Sequence, residues 1–186
     1  LAFLQAYRLC KDPLLLETAK ETAEALRQGQ LESGGWDNRI EFGIKERAKY
    51  AYRTETESRR KDKLRNTTTF DDNKSQAAIR FLMEFDVEMD YADQPVHEAV
   101  LYALNSVLKS QYPNGAWPQR FSKFPDPDLY PVMKASIPEQ WSREYPGTRY
   151  SDFYTLNDNT ICDLIDLLLD AADIYQCSDY RRAACR

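Results

Sequence analysis

Two acidic tripeptides, at residues 71–73 (Asp-Asp-Asn) and 157–159 (Asn-Asp-Asn), each stand directly before a helical pattern. Carboxylate and amide oxygens in loops are hard ligands that suit Ca²⁺, whereas zinc sites are usually built from His or Cys. The chain has one histidine, which argues against a His-based zinc centre. We therefore expect Asp71, Asp72 and Asp158 to bind Ca²⁺ if the fold brings the two tripeptides together.

Other roles for these acidic residues remain open from the sequence. Asp and Asn commonly cap helix N-termini by accepting hydrogen bonds from unpaired N–H groups. Asp72 and Asp158 would also suit the general acid and base of a glycoside hydrolase. An EF-hand is excluded, because counting from Asp71 puts Gln76 where the loop needs Gly and Leu82 where it needs Glu.

An internal repeat decides which elements must position these residues. Residues 17–39 match 98–120 at an offset of 81, and residues 68–85 match 154–171 at an offset of 86. The repeated unit reads helix, Gly-Trp turn, long polar loop, acidic tripeptide, helix, with apolar residues three and four apart in the second helix. Because Asp72 and Asp158 are equivalent, the two tripeptides should be neighbours at one end of an all-α array of helical hairpins.

Two long insertions, 43–66 and 122–150, each follow a Gly-Trp turn and precede an acidic tripeptide. Both should therefore emerge at the same end of the array, where a groove would lie. The first residues of the chain resemble the end of an earlier second helix, and the last ones resemble the start of another first helix. We expect the chain to be truncated at both ends within repeat units.

Charge and hydropathy exclude some function classes. The net charge of −5 argues against a general nucleic-acid partner. The sequence also lacks an apolar run of 18 residues or more, which a membrane-spanning helix would need. The insertion at 43–66 is nevertheless basic, with nine Lys/Arg against four Asp/Glu, which fits either a polyanion-binding loop or an ordinary solvated loop. The four cysteines lack metal-type spacing and are expected to be buried thiols.

Aromatic residues are candidates for contact with sugar rings. Trp36, Trp117, Trp141 and Tyr112 offer flat apolar faces with a polar edge. Trp36 and Trp117 recur at one repeat position, which favours core packing for both. Trp141 lies in an insertion, which makes it the better candidate for stacking on a sugar.

Four blocks of sequence occur in the order of the signature blocks of the family 10 polysaccharide lyases, which are pectate lyases. They resemble those blocks at 33–42 (SGGWDNRIEF), 67–82 (TTTFDDNKSQAAIRFL), 111–121 (QYPNGAWPQRF) and 154–171 (YTLNDNTICDLIDLLLDA). The resemblance implies an α/α toroid, here incomplete, with residues 1–186 forming part of one catalytic domain. It also implies cleavage of polygalacturonate (pectin) by calcium-assisted β-elimination, a secreted or periplasmic location and a monomer.

The resemblance assigns roles to individual residues. Asp71, Asp72 and Asp158 match the metal and substrate ligands, although the family often has Asp-Asn where this chain has Asp71-Asp72. The catalytic arginine belongs to a later block that has no match here. We expect that arginine beyond Arg186, so the catalytic residue is unknown. A non-catalytic pectin-binding or calcium-binding fragment and a helical-repeat scaffold for another protein therefore remain alternatives.

Candidates for substrate binding come from the matched blocks and the second insertion. Arg39 and Arg120 occupy equivalent places after the two Gly-Trp turns, where each could bind a uronate carboxylate with two hydrogen bonds. Both could equally cap helix C-termini. Arg120 is the better candidate, because its block is the closer match to the family. The full set of substrate-binding candidates is Arg120, Trp117, Trp141, Asn159 and Arg39.

Overall fold

The computed structural model describes residues 1–55, 63–134, 144, 151 and 158–186. Within these residues the chain is mostly helical. The helices are α1 (Ala2–Cys10), α2 (Pro13–Gly29), α3 (Ile44–Arg47), α4 (Lys74–Glu88), α5 (Gln94–Lys109), α6 (Thr160–Tyr175) and α7 (Ser178–Ala184). Two short strands, β1 (Thr68–Thr69) and β2 (Arg120–Phe121), and two 3-10 turns, Asp71–Asn73 and Pro127–Leu129, complete the described elements.

The long helices pack as antiparallel neighbours in consecutive hairpins. Helix α1 packs on α2, α4 on α5 and α6 on α7, while α4 also contacts α2 and α6. The second helix of each repeat thus forms a hairpin with the helix that follows it. The prediction of an all-α fold of helical hairpins is confirmed, while closure into a toroid stays a prediction.

The internal repeat appears in the structure as a repeated hydrogen-bond network. The buried Gln30 donates from Nε2 to the carbonyl of Gly34 (3.0 Å) and to that of Ala99 on α5 (2.8 Å). Its equivalent, Gln111, makes the same two bonds to Gly115 (2.9 Å) and to Ala183 on α7 (2.8 Å). Each Gly-Trp turn is therefore tied to the first helix of the next repeat, which fixes the spacing between repeats.

The repeated tryptophans are core residues. Trp36 is 3% exposed and donates its indole N–H to the Leu26 carbonyl, and Trp117 is 1% exposed and donates to the Val107 carbonyl. The prediction of core packing is therefore confirmed for Trp36 and Trp117. The prediction that Trp117 binds substrate is wrong for this structure, because its ring faces are packed against other apolar side chains and are closed to a sugar.

A two-residue ladder links the repeats at the end that carries the acidic residues. In the antiparallel pairing of β1 with β2, Thr68 lies opposite Phe121 and Thr69 opposite Arg120. The Phe70 N–H continues the link by donating to the Gln119 carbonyl at 2.8 Å. The segment that leads into the acidic turn of the first repeat is thereby held against the segment that follows the Gly-Trp turn of the second.

Two aspartates cap helices, and the cysteines are less buried than expected. Asp12 and Asp93 cap α2 and α5 by accepting from the backbone N–H of Leu14 and Val96. The cysteines, however, are not buried: Cys10, Cys162 and Cys185 are exposed and Cys177 is half-buried. Each lies in or beside a helix end or on a helix face that no other described element covers. None of the described helices is long and apolar enough to cross a membrane.

Replacing Gly34 by Ala tests the geometry of the turn. Gly34 has a φ of +112°, and a Cβ added there would lie 2.0 Å from Ser106 Oγ on α5. We expect Gly34→Ala to lower the free energy of unfolding by more than about 2 kcal/mol, because it adds both backbone strain and an overlap.

Gly43→Ala is the matched control for that measurement by denaturant unfolding. Gly43 has an extended backbone, and no atom lies within 4 Å of an added Cβ. Its substitution should cost less than about 1 kcal/mol. Equal losses for the two variants would contradict the close contact between the turn and α5.

Candidate metal and substrate site

The acidic residues before α4 and α6 have unusual backbone conformations. Asp72 (φ 53°, ψ 33°), Asn73 (φ 57°, ψ 26°) and Asp158 (φ 42°) all lie in the left-handed region. Asp and Asn tolerate this region better than most residues, but each such position still costs free energy. Strain of this kind is typical of segments whose side chains are held in place for a function.

The side chains of these segments do not cap the helices that they precede. Asn73 is the N-cap residue of α4 and Asn159 that of α6, and neither makes a side-chain capping hydrogen bond. The interpretation of the tripeptides as helix caps is therefore wrong for these two residues, which hold the cap positions only through the backbone. The polar atoms are left for other partners.

Three carboxylates converge at this end of the array. The 3-10 turn Asp71–Asn73 packs against α6, so that Asp71, Asp72 and Asp158 each present a carboxylate oxygen within 4.8 Å of the other two. Asp71 is half-buried, and Asp72 and Asp158 are exposed. The convergence that the repeat predicted is present, and we call these three residues the acidic cluster.

Asp71 is anchored by the neighbouring repeat. Its Oδ1 accepts from Gln119 Nε2 at 2.8 Å and its Oδ2 from Arg120 Nη2 at 2.9 Å. Burial raises the pKa of Asp71, but the hydrogen bonds from Arg120 and Gln119 outweigh it and hold the pKa below its ordinary value. Asp71 therefore stays a carboxylate, oriented by two donors.

A second cation and two helix N-termini offset part of the remaining negative charge. Lys74 Nζ donates to Asp72 Oδ2 at 2.8 Å, and Lys74 is the first residue of α4. The acidic cluster lies at the N-termini of α4 and α6, where helix dipoles favour negative charge. Since two cations face three carboxylates that repel one another, the cluster still favours a further cation.

The donor set fits a hard divalent cation. All three groups are carboxylates, two are exposed, and oxygens less than 4.8 Å apart can converge on one ion with Ca²⁺ to oxygen distances of about 2.3–2.6 Å. The same closeness fits poorly with an inverting glycoside hydrolase, whose two carboxyl groups stand about 6.5–9.5 Å apart.

The remaining predicted substrate residues fall in different places. Arg120 contacts the acidic cluster directly, and the exposed Asn159 follows Asp158 at the start of α6. Arg39 is 66% exposed, forms an ion pair with Glu41 at 2.7 Å and joins none of the described contacts of the cluster. Trp141 lies outside the described residues.

Arg186, beyond which we expect the catalytic arginine, is exposed and lies apart from the acidic cluster. It follows α7, and its backbone N–H donates to the Ala183 carbonyl at 3.3 Å. Its backbone packs against the second Gly-Trp turn, because a Cβ added to Gly115 would lie 2.7 Å from the Arg186 carbonyl carbon. None of its described contacts involves the cluster. The position of the catalytic arginine beyond Arg186 stays a prediction.

Two residues of the site were missed by sequence reasoning, namely Gln119 and Lys74. Gln119 adjoins Arg120 in the 111–121 block, and that adjacency was the available signal. Its role depends on a two-residue strand pairing, which no periodicity reveals. Lys74 directly follows the tripeptide at 71–73, but a lysine at a helix start reads as an ordinary solvated residue.

Comparison with known proteins agrees with this geometry. Residues 30–181 match the family described as Pectic acid lyase. The chain belongs to this family. The match covers both Gly-Trp turns, both acidic tripeptides and the second helix of each repeat. No curated protein matches the chain.

Two solved structures share the fold. One is a family 10 polysaccharide lyase from Cellvibrio cellulosa, and the other is a mutant of that family 10 lyase in complex with trigalacturonic acid. Each is 20% identical to this pectic acid lyase family member, with a TM-score of 0.53 over 91% of the chain. The chain spans 46% of the length of each of these structures, about half.

Arg120→Gln tests the anchoring of Asp71 through pH dependence. A folded-state pKa below the ordinary 3.8 means that Asp71 stabilises the fold above that pH and loses this contribution as the pH falls through the folded pKa. Without Arg120 the pKa of Asp71 should rise. The stability that Asp71 contributes above its ordinary pKa should then be smaller, so the acid-side loss of stability should be shallower, as followed by urea unfolding from about pH 2 to pH 7.

The control for this titration is Arg182→Gln. Arg182 pairs with Asp179 at 2.6 Å, and both side chains are more than half exposed. Such a surface pair contributes little, so the acid limb should stay as in the unmodified protein. An unchanged acid limb in Arg120→Gln as well would contradict the proposed anchoring.

Proposed function

We propose that this protein is a pectate lyase that cleaves polygalacturonate by calcium-assisted β-elimination, with Ca²⁺ held by Asp71, Asp72 and Asp158. The observation that carries the proposal is the convergence of three carboxylates from two repeats, with oxygens within 4.8 Å of one another. Family membership and the trigalacturonic acid in a structural relative support an anionic polysaccharide as the substrate.

The described residues hold substrate and cation rather than transfer a proton. A bound Ca²⁺ would pair with a uronate carboxylate and acidify the C–H beside it. Arg120 is 35% exposed and uses one N–H on Asp71, which leaves further guanidinium donors for a substrate carboxylate. Lys74 neutralises Asp72 and competes with a cation for that carboxylate.

We assign no general base among the described residues. The resemblance places an arginine in this role in a later sequence block, beyond Arg186. An arginine is charged in water, so that role requires a site that strongly perturbs it. The proposal also includes a secreted or periplasmic location and a monomeric protein, in line with the family.

A non-catalytic pectin-binding protein is the alternative, because no base is assigned here. Incubation of the protein, in a form that includes the later block with the expected arginine, with polygalacturonate and Ca²⁺ separates the two. A lyase forms an unsaturated product that absorbs in the near ultraviolet, whereas a binding protein is retained on pectate with Ca²⁺ and forms no product. New reducing ends without that absorbance would indicate a hydrolase and contradict the lyase proposal.

Asp72→Asn and Asp158→Asn test the cation site itself. Each removes one charge from an exposed carboxylate of the acidic cluster, so the affinity for Ca²⁺ should fall by about tenfold or more. The rise in melting temperature on adding Ca²⁺ should shrink in parallel. Calorimetric titration with Ca²⁺ and thermal unfolding measure the two effects.

Asp179→Asn is the matched control, because Asp179 is an exposed carboxylate paired with Arg182 on α7, which follows the end of α6 that lies away from Asp158. It should bind Ca²⁺ as the unmodified protein does. If the cluster variants and this control have the same Ca²⁺ affinity, Ca²⁺ does not bind at the acidic cluster.

A further inference from the structure

A cavity of about 380 Å³ lies directly beside Arg120, on the side of β2 where the second insertion begins. Its walls include Arg120, Lys123, Phe124, Leu129 and Tyr130. Arg120 is also the donor to Asp71, so the cavity and the acidic cluster share one side chain as a common wall. We call this space the Lys123 cavity.

The Lys123 cavity combines cationic and aromatic walls. Lys123 and Arg120 supply positive charge. Among the described residues of the lining, Asp126 is the one carboxylate, and it accepts from the Asp128 N–H at the start of the 3-10 turn Pro127–Leu129. The Asp126 carboxylate therefore stabilises the turn that forms this part of the wall. A ligand here meets two cations and flat apolar surfaces, which suits a ring with a carboxylate at one edge.

The aromatic side chains of the cavity wall pack against buried aromatic residues. Tyr130 packs edge-on against Tyr112, which is 4% exposed, with ring centroids 4.9 Å apart. Phe124 packs on the buried Phe121 at 5.8 Å. Rings fixed in this way bind with little loss of side-chain entropy, although Phe124 and Leu129 are otherwise exposed apolar groups.

The recess continues away from the acidic cluster. A second cavity of about 220 Å³ shares Tyr112, Leu129 and Tyr130 with the first. The two cavities therefore adjoin along the 3-10 turn, and of the two only the first has Arg120 among its described lining residues. A polymer, rather than a single small molecule, matches a recess of this form.

We propose that the Lys123 cavity binds one galacturonate residue of a polymeric substrate, next to the residues held at the acidic cluster. Lys123 receives the carboxylate, and the Tyr130 ring packs against the apolar face of the sugar. This subsite rests on the proposed function, since it extends the same substrate. It would make the affinity for the polymer depend on chain length.

Binding of oligogalacturonates of increasing length, measured by calorimetry in the presence of Ca²⁺, tests the subsite. Near-ultraviolet absorbance checks that the oligomers stay intact. The unmodified protein should bind a hexamer more tightly than a dimer. Lys123→Gln and Tyr130→Ala should each weaken hexamer binding by roughly fivefold to tenfold and leave dimer binding unchanged, because the dimer is held at the acidic cluster.

Two control variants are measured in the same way. Tyr130→Phe keeps the ring and should bind the hexamer as the unmodified protein does. Lys20→Gln removes an exposed lysine on α2 that pairs with Glu17, and it should have no effect. Lys123 is exposed and lies in a loop, so Lys123→Gln remains informative if Tyr130→Ala is unstable.

The outcomes separate this subsite from the function on which it rests. Hexamer binding that is unchanged in both Lys123→Gln and Tyr130→Ala, with calcium-dependent binding retained, overturns the subsite alone. No calcium-dependent binding of any oligomer by the unmodified protein overturns the proposed function and the subsite together.

Discussion

The pairing of β1 with β2 is the contact on which the rest of the site depends. Four residues join the strand that enters the acidic turn of one repeat to the strand that leaves the Gly-Trp turn of the next. Through it Gln119 and Arg120 reach Asp71, and the same strand forms a wall of the Lys123 cavity. A short ladder is stable here because the helices on both sides already fix the distance between the two segments.

The helices owe that fixed distance to buried polar contacts that recur with the repeat. Gln30 and Gln111 each satisfy two carbonyls, one in their own turn and one on the next hairpin. A buried carbonyl without a donor is costly, so these bonds favour one spacing of the helices over others. The indole N–H groups of Trp36 and Trp117 also fix each turn to the helix that precedes it, by donating to carbonyls of α2 and α5.

The acidic cluster combines features that are unfavourable for stability alone. Its carboxylates repel one another, its backbone includes left-handed non-glycine residues, and its Asn residues do not cap the helices that they precede. Arg120, Lys74 and two helix N-termini offset part of the repulsion. A cation would offset the rest, which is the physical reason for assigning Ca²⁺ to this site.

Periodicity in the sequence was enough to determine the all-α architecture, the repeat and the approach of Asp72 to Asp158, because equivalent positions in stacked repeats become neighbours. It also favoured core roles for Trp36 and Trp117. It could not separate Arg39 from Arg120, which occupy equivalent repeat positions and yet have different partners, Glu41 and Asp71. Only the tertiary structure decided that difference, as well as the role of Gln119 and the Lys123 cavity. These features arise from contacts between segments roughly 50 residues apart and from loop conformations that leave no periodic pattern.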